Sequence, residues 1–178
     1  QAVTGTPGHV NTMAVAVGHF LERFPLEGLV AGDVLVTNDP WMGTGHLFDF
    51  VVVTPVFIGQ RPVALFASTC HTLDVGGRGF TADAASVYEE GTCIPHLKLV
   101  RAGALNEDVL AIIQANSRNP IEARGDILSL VSSNPQLLER MVFNHRALFV
   151  VLMALITLVL GYMAVTRLEL RPSFEKMI

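Results

Sequence analysis

Two apolar runs of strand type, joined by a short link, constrain the fold of this 178-residue chain more than any other feature. Residues 50–58 read FVVVTPVFI and residues 63–69 read VALFAST, and the link between them begins at Gly59. This pattern predicts a β-hairpin, because a short link with glycine lets the chain turn back on itself. The residue before the first strand then lies close to the residue after the second. Pro55 indicates an edge or a bulge in the first strand.

The segments around the hairpin predict a sheet combined with helices. Residues 9–24 place apolar side chains at helical spacing, and residues 34–37 form another short strand. Asn106 and Asn119 stand where helix N-cap residues are favoured, each followed by acidic residues in the next turn. A glycine-rich stretch over 74–93 is typical of a long irregular loop. We therefore expect an α/β or α+β fold with a mixed sheet.

The C-terminal part of the chain differs in kind from the rest. Residues 147–165 carry no charge, and as a helix they extend about 28 Å, close to the hydrocarbon thickness of a bilayer. The chain as a whole is 51% hydrophobic, with a mean hydropathy of +0.46. We expect two parts, 1–133 and 134–178, with a single transmembrane helix over 147–165. The alternative interpretation of this run is a fully buried core helix.

The charge of the chain argues against one class of partner. Its net charge is −4 at pH 7, from 12 Lys and Arg against 16 Asp and Glu. A nucleic-acid-binding protein normally presents a basic surface, so we expect no nucleic-acid partner. The two cysteines, Cys70 and Cys93, do not form a CxxC pair, which favours free thiols in a reducing compartment.

Polar side chains cluster at the ends of the predicted hairpin strands. His46 and Asp49 precede the first strand, and His71 follows the second. The hairpin brings Asp49 and His71 together, and His46 lies three residues from Asp49. Two imidazoles and a carboxylate suit a divalent transition metal with open coordination positions. The alternatives stay open: a single histidine is more often structural or exposed, and an aspartate in a turn often binds its own backbone.

Several motifs in the same part of the chain resemble one protein family. Residues 32–41 (GDVLVTNDPW), 43–49 (GTGHLFD) and 53–57 (VTPVF) are similar to the hydantoinase B/oxoprolinase family, and the similarity covers about residues 1–131. That family includes N-methylhydantoinase B subunits, the C-terminal half of 5-oxoprolinase and the large subunits of acetone and acetophenone carboxylases. The similarity continues through His71, 74–77, 88–91, Ile94, Pro95, Lys98, Leu99, Gly125 and Asp126.

The resemblance implies a metal-dependent, ATP-coupled enzyme. In the family, a partner subunit of the hydantoinase A type phosphorylates the substrate, and the B-type chain then hydrolyses a cyclic amide or carboxylates a ketone enolate. His46, Asp49 and His71 match the positions that hold the metal in members similar to acetone carboxylase. The ion expected there is a divalent transition metal, with Mn, Fe and Zn not distinguished. Asp39 and Asp74, the acidic residues of two further motifs, are the predicted catalytic residues.

Two positions depart from the family pattern. Phe48 stands where Pro or His is common, and Thr72 stands where many members carry a second His. Family members also run to several hundred residues, so we expect this chain to be a fragment that is inactive alone. The alternative function is that of a non-catalytic fragment that contacts a partner subunit.

The C-terminal segment has a resemblance of its own. Residues 137–178 are similar to the N-terminal end of RND exporters of the MMPL-like branch, on the motifs at 143–146 (FNHR) and 173–177 (SFEKM). This resemblance adds to the prediction that the chain is tethered to the cytoplasmic (inner) membrane through 147–165, with the family-like part in the cytoplasm. A membrane-anchored remnant of a transporter fusion is then a further alternative function.

Overall fold

The computed structural model of the protein describes residues 7–72, 74–79, 81, 83–133 and 146–167. The chain separates into two compact units, Gln1–Gln136 and Leu137–Ile178. The elements are, in chain order, helix α1 (Pro7–Arg23), a 3₁₀ turn (Leu26–Gly28), strands β1 (Val34–Thr37), β2 (Asp49–Ile58) and β3 (Arg61–His71), helix α2 (Val87–Glu90), strands β4 (Leu97–Arg101) and β5 (Ala104–Leu105), and helices α3 (Glu107–Ala115), α4 (Pro120–Ser133) and α5 (Arg146–Arg167).

Within the described residues, the strands form one five-stranded sheet in the order β3-β2-β1-β4-β5. The predicted hairpin is confirmed, since β2 and β3 pair from Asp49 opposite His71 to Ile58 opposite Arg61. The expected mixed sheet is wrong, because every strand pair in this sheet is antiparallel, and the fold class is α+β. Links of two residues join β2 to β3 and β4 to β5. Links this short allow only antiparallel pairing of the two strands, whereas parallel neighbours need a long crossover.

The expectation for Pro55 is only partly met. The strand β2 lies in the middle of the sheet and not at its edge. Its partner β1 pairs only with residues 51–53, so Pro55 lies beyond the part of β2 that pairs with β1, and its one strand partner among the described residues is Leu65 in β3. A shift in register with β3 follows directly, between Val56 and Phe57.

Helices cover both faces of the central strands. Side chains alternate along β2, so Phe50 and Val52 pack into the cluster that contains α3 and α4, whereas Val51 and Val53 pack with α1. Residues 49–56 are all buried. This two-sided burial explains why β2 reads as an unbroken apolar run instead of an alternating one.

The helices form close to where the spacing predicts them, but not every apolar side chain lies on a buried face. The Asn106 side chain caps α3 by accepting the Val109 N–H at 3.4 Å. In α4 the buried positions are Ala123, Ile127 and Leu130, whereas Ile121 is 85% exposed. Contacts with the sheet, more than hydropathy alone, select which side of an amphipathic helix is buried.

The transmembrane helix predicted over 147–165 is wrong. Helix α5 forms there, but among the described residues no helix is both long enough and apolar enough to cross a membrane. An uncharged run predicts a helix, but a membrane crossing also needs the full apolar length. The predicted attachment to the inner membrane rested on this helix and is wrong for the same reason.

Most residues of the two exporter-like motifs are not among those that the structure describes. The motif at 173–177 and residues 143–145 of the first motif lie outside the described part of the chain.

Candidate metal centre

The hairpin itself places two of the three predicted ligands. Asp49 is the first residue of β2, and His71 is the last residue of β3, directly opposite it in the antiparallel register. Residues opposite each other in such a pair project their side chains to the same face of the sheet. The chain needs no long-range packing to bring this carboxylate and this imidazole together.

The third predicted ligand comes from the turn before β2. His46 lies three residues before Asp49, and the Asp49 N–H donates to the His46 carbonyl oxygen at 3.4 Å. This turn returns the His46 ring to the start of the strand. Its Nε2 lies 3.5 Å from Asp49 Oδ2, and Nδ1 of His71 lies 3.1 Å from Asp49 Oδ1.

Together the three side chains form a compact donor set. One candidate ligand atom from each of His46, Asp49 and His71 lies within 4.8 Å of the other two. The two imidazole rings meet edge to face, with their centroids 5.2 Å apart. Two nitrogen donors and one carboxylate oxygen at this separation fit a divalent transition metal, because such ions bind these atoms at about 2.0–2.2 Å.

Burial is unequal within this donor set. The Asp49 side chain is only 4% exposed, whereas the side chains of His46 and His71 are 33% and 37% exposed. The buried Phe48 ring stacks on the His71 ring at a centroid distance of 5.3 Å. The carboxylate therefore lies beneath the two imidazoles, and solvent or a small molecule reaches the site from their side.

A buried asparagine holds the loop that carries His46. The Asn38 amide donates to the carbonyl oxygens of Leu47, at 2.7 Å, and Thr92, at 2.9 Å. Its Oδ1 accepts the Ile94 N–H at 2.6 Å. Asn38 thus ties the residue that follows His46 to the segment before β4. The sequence motifs alone predicted no role for Asn38, although a polar residue directly after a buried strand is a signal for one.

A glutamate holds the other backbone polar group of Leu47. Glu90 Oε2 accepts the Leu47 N–H at 3.1 Å, so that both backbone polar groups of Leu47 are engaged by side chains distant in sequence. Because Leu47 lies between His46 and Asp49, these two bonds restrict the separation of the two donors. Glu90 and Asn38 are therefore positioning residues for the candidate centre.

The predicted catalytic residue Asp74 is engaged by a different set of partners. Its buried carboxylate forms an ion pair with Arg118, whose Nη2 lies 2.6 Å from Oδ1, and it also accepts the Arg118 backbone N–H. Gly76 and Ser117 donate to it at 3.1 and 3.3 Å. The Arg118 guanidinium holds the pKa of Asp74 well below its usual range, so this carboxylate is an ionised anchor between the glycine-rich loop and the link between α3 and α4.

The predicted catalytic residue Asp39 closes a turn. Its Oδ1 accepts the N–H groups of Trp41 and Met42 at 2.9 and 3.2 Å, the arrangement of an Asx turn. Asp39 also lines an open groove with Met42 and His96. The structure therefore brings His46, Asp49 and His71 into one donor set and gives Asp39 and Asp74 other local partners.

The arrangement of motifs on this fold has a known counterpart. The sequence profile of the hydantoinase B/oxoprolinase family matches residues 1–144 of the chain. This protein belongs to the hydantoinase B/oxoprolinase family. The resemblance drawn from the motifs is confirmed, and the candidate metal centre lies wholly within the matched region. The exporter resemblance of 137–178 is not shown by these comparisons and stays a prediction.

Individual relatives give the family match more detail. The 5-oxoprolinase of Dictyostelium discoideum is 32% identical over 151 residues, covering 82% of this chain and 12% of that protein. The ATP-dependent caprolactamase of Pseudomonas jessenii has a similar structure, with a TM-score of 0.68 and 28% identity over 78% of this chain and 25% of its own. A nucleotide-free acetone carboxylase shares the fold, with a TM-score of 0.58 and 22% identity over 80% of this chain and 20% of its own.

The length of these relatives bears on what the chain represents. It spans between 7% and 23% of the length of the curated relatives that it matches first. Family membership therefore applies to this region, and the activity of a whole family enzyme is a separate matter.

Proposed function

We propose that His46, Asp49 and His71 hold a divalent transition metal, Mn, Fe or Zn, in the substrate site of a hydantoinase B-type subunit. The observation that carries the proposal is the grouping of three ligand atoms within 4.8 Å of one another around a nearly buried carboxylate. Desolvated carboxylates are costly unless a cation or hydrogen-bond donors compensate them, and a divalent ion between the three groups meets that need.

The chemistry that such an ion supplies when bound is polarisation of a carbonyl oxygen or a lowered pKa of bound water. The chain's own residues supply the geometry. Asp49 contributes the anionic donor, and His46 and His71 present their rings on the accessible side. Phe48 fixes the orientation of the His71 ring by stacking on it. Asn38 and Glu90 fix the peptide between the first two donors.

The relatives support a proposal for the substrate class and the partner. Those relatives include 5-oxoprolinase and an ATP-dependent caprolactamase, so we propose a small cyclic amide as the substrate, opened by hydrolysis; the likeness to acetone carboxylase supports a ketone as the other class. ATP is consumed by a partner subunit of the hydantoinase A type. Catalytic roles for Asp39 and Asp74 stay predictions. Asp39 is the better placed of the two to contact a substrate, because it lines an open groove.

Metal analysis of the full chain tests the centre directly. After loading with Mn, Fe(II) or Zn and removal of unbound ion, we expect about one equivalent to remain in the unmodified chain. His46→Ala and His71→Ala should each lose it. His19→Ala should retain it, since His19 lies on α1 and belongs to another cluster. Equal retention by all three variants would contradict the proposed ligands.

An activity assay tests the rest of the proposal. We expect the chain alone to turn over neither hydantoin, 5-oxoproline, caprolactam nor acetone. With a hydantoinase A-type subunit and ATP, and with bicarbonate where the substrate is a ketone, ring-opened or carboxylated product should form as ATP is consumed, and His46→Ala should abolish it. Binding of the partner without turnover would support the non-catalytic fragment instead. Turnover by the chain without ATP, lost in His46→Ala, would contradict the role of the partner.

A further inference from the structure

The distribution of unpaired cations on the first unit is uneven. Residues 1–133 contain seven Lys and Arg residues, and four of them form ion pairs with carboxylates. Among the described residues no ion pair is recorded for the other three, which are Arg23, Arg61 and Arg101. Two of these three, Arg23 and Arg101, line the same groove, whereas Arg61 lies at the hairpin turn before β3.

That groove lies between the C-terminal end of α1 and the hairpin formed by β4 and β5. It has a volume of about 480 Å³, and apolar side chains of Phe24, Val30 and Leu97 form part of its wall. A second groove of about 420 Å³ adjoins it and shares Arg23, His96 and Leu97 with it. The space is large enough for a small organic ligand, and two arginines, Arg23 and Arg101, line it.

Hydrogen bonds hold the turn that follows Arg101 and so fix the position of its backbone in this groove. Arg101 ends β4, and the next two residues, Ala102 and Gly103, both have positive φ angles, of 48° and 87°. The Gly103 N–H donates to the Gly32 carbonyl oxygen at 2.9 Å, and the Ala102 N–H donates to Asp33 Oδ1 at 2.9 Å. The backbone that carries Arg101 is therefore held in place before any ligand arrives.

The other charges of the groove are already compensated. Lys98 Nζ lies 2.6 Å from Asp33 Oδ2, so these two cancel each other. Burial by itself raises the pKa of Asp33, but the bonds from Lys98, Ala102 and Val30 outweigh it and leave the pKa lowered, so the carboxylate is ionised. The uncompensated charge that remains belongs to the guanidinium groups of Arg23 and Arg101.

A buried nitrogen adds a polar group without a recorded partner. His96 lines both grooves, and its Nε2 is buried without a hydrogen-bond partner among the described residues. Its ring packs edge to face against Phe20, with centroids 4.5 Å apart, which fixes its orientation. A ligand in the groove would offer this nitrogen a partner.

We propose that the groove between α1 and the β4–β5 hairpin binds a small organic oxyanion, a carboxylate or a phosphate, between the guanidinium groups of Arg23 and Arg101. Guanidinium groups bind such oxyanions through paired, charge-assisted hydrogen bonds. The wall of Phe24, Val30 and Leu97 contacts a short apolar part of the ligand. This site is separate from the three residues of the candidate metal centre, and it stands or falls independently of them.

Titration of the isotope-labelled full chain tests the site, with inorganic phosphate and acetate as separate probes. Buffers are passed over chelating resin, and sodium chloride holds the ionic strength constant. We expect the Nε–H signals of Arg23 and Arg101 to shift saturably while the Arg61 signal stays. A tighter response to phosphate assigns a phosphoryl ligand, and an equal or tighter response to acetate assigns a carboxylate. Both support the site.

Matched variants decide between a site and a general attraction of anions. Arg101→Gln should weaken the binding of the probes about tenfold, the order expected for loss of a charge-assisted hydrogen bond. Arg61→Gln removes the same charge from the hairpin turn and should leave binding unchanged. All three arginines are exposed, so the variants should keep the fold, which the dispersion of the amide spectrum checks. Equal weakening in both variants, or shifts that never saturate, would overturn the proposal.

Discussion

The two buried aspartates, Asp49 and Asp74, show how similar burial serves two different ends. They are 4% and 6% exposed, and each lies beside an end of the hairpin strands. Asp74 faces Arg118, a permanent cation that supplies several hydrogen bonds. Asp49 faces the imidazole rings of His46 and His71, whose nitrogen atoms are metal donors.

The difference lies in what compensates each carboxylate. At Asp74 the chain provides its own cation, so the charge is committed to the architecture. At Asp49 the neighbouring groups are themselves metal ligands, and a divalent cation adds to them instead of competing with them. Burial of a carboxylate therefore does not identify a functional site until its partners are known.

The sharpest test of this contrast makes the same substitution at both aspartates. Asp49→Asn should weaken binding of Mn or Zn by more than about 100-fold, because an amide is a poorer ligand than a carboxylate. Asp74→Asn should leave metal affinity within about twofold of the unmodified chain, since Asp74 belongs to a different cluster. Calorimetric titration measures both. A similar loss of affinity in the two variants would remove the distinction drawn here.

The ion pair between Asp74 and Arg118 should contribute measurably to the free energy of unfolding. Arg118→Ala should lower the free energy of unfolding by about 2 kcal/mol, because it leaves the buried Asp74 without its strongest donors. Urea denaturation measures the loss. Arg78→Ala is the matched control: its pairs with Asp83 and Glu89 are exposed and should contribute less than about 1 kcal/mol. Equal losses in the two variants would show that Arg118 is an ordinary surface cation.

Support of the ligand loop should show itself in metal affinity. Asn38→Ala should weaken metal binding about tenfold, since it releases the carbonyl group of Leu47, the residue that follows His46. Asn106→Ala removes a helix cap elsewhere, which costs about 1 kcal/mol of stability, and should leave metal affinity unchanged. If the two variants lose affinity in proportion to their loss of stability, Asn38 has a general structural role only.

The smallest expected effect is a loss of folding stability at acidic pH. The pKa of Asp74 is lower in the folded chain than in the unfolded chain, where it is about 3.9. The stability it contributes is therefore fully present above pH 4 and is lost as pH falls toward the folded pKa, by about 1 kcal/mol between pH 6 and pH 3. Urea midpoints across this range should fall, and less steeply in Asp74→Asn. An identical slope in the variant would contradict the assignment.

Spacing along the chain predicted the three donors of the candidate metal centre, but not the hydrogen bonds that hold their loop in place. The hairpin, the Asn106 cap and the proximity of His46, Asp49 and His71 all depend on residues at most 25 positions apart. Their geometry follows from strand alternation and short turns. The bonds from Asn38 to Thr92 and Ile94 join segments more than 50 residues apart, and no local pattern encodes them.

The helical faces show the same limit. The apolar side chain of Ile121 is exposed, whereas Ala123 and Leu130 contact the core. Packing against the rest of the core selects the buried side of this helix, and hydropathy alone does not encode it. The uncharged run over 147–165 similarly predicted a helix correctly and a membrane crossing wrongly.

The sequence by itself determined the family, the hairpin and the three side chains that it brings together, since all of these follow from motifs and from short-range chain geometry. Tertiary structure alone decided which buried aspartate is paired with a cation of the chain. Arg118 reaches Asp74 from 44 residues away, and that contact exists only after α3 and α4 have packed on the sheet. Long-range packing, which spacing along the chain does not encode, distinguishes the anchor from the candidate metal centre.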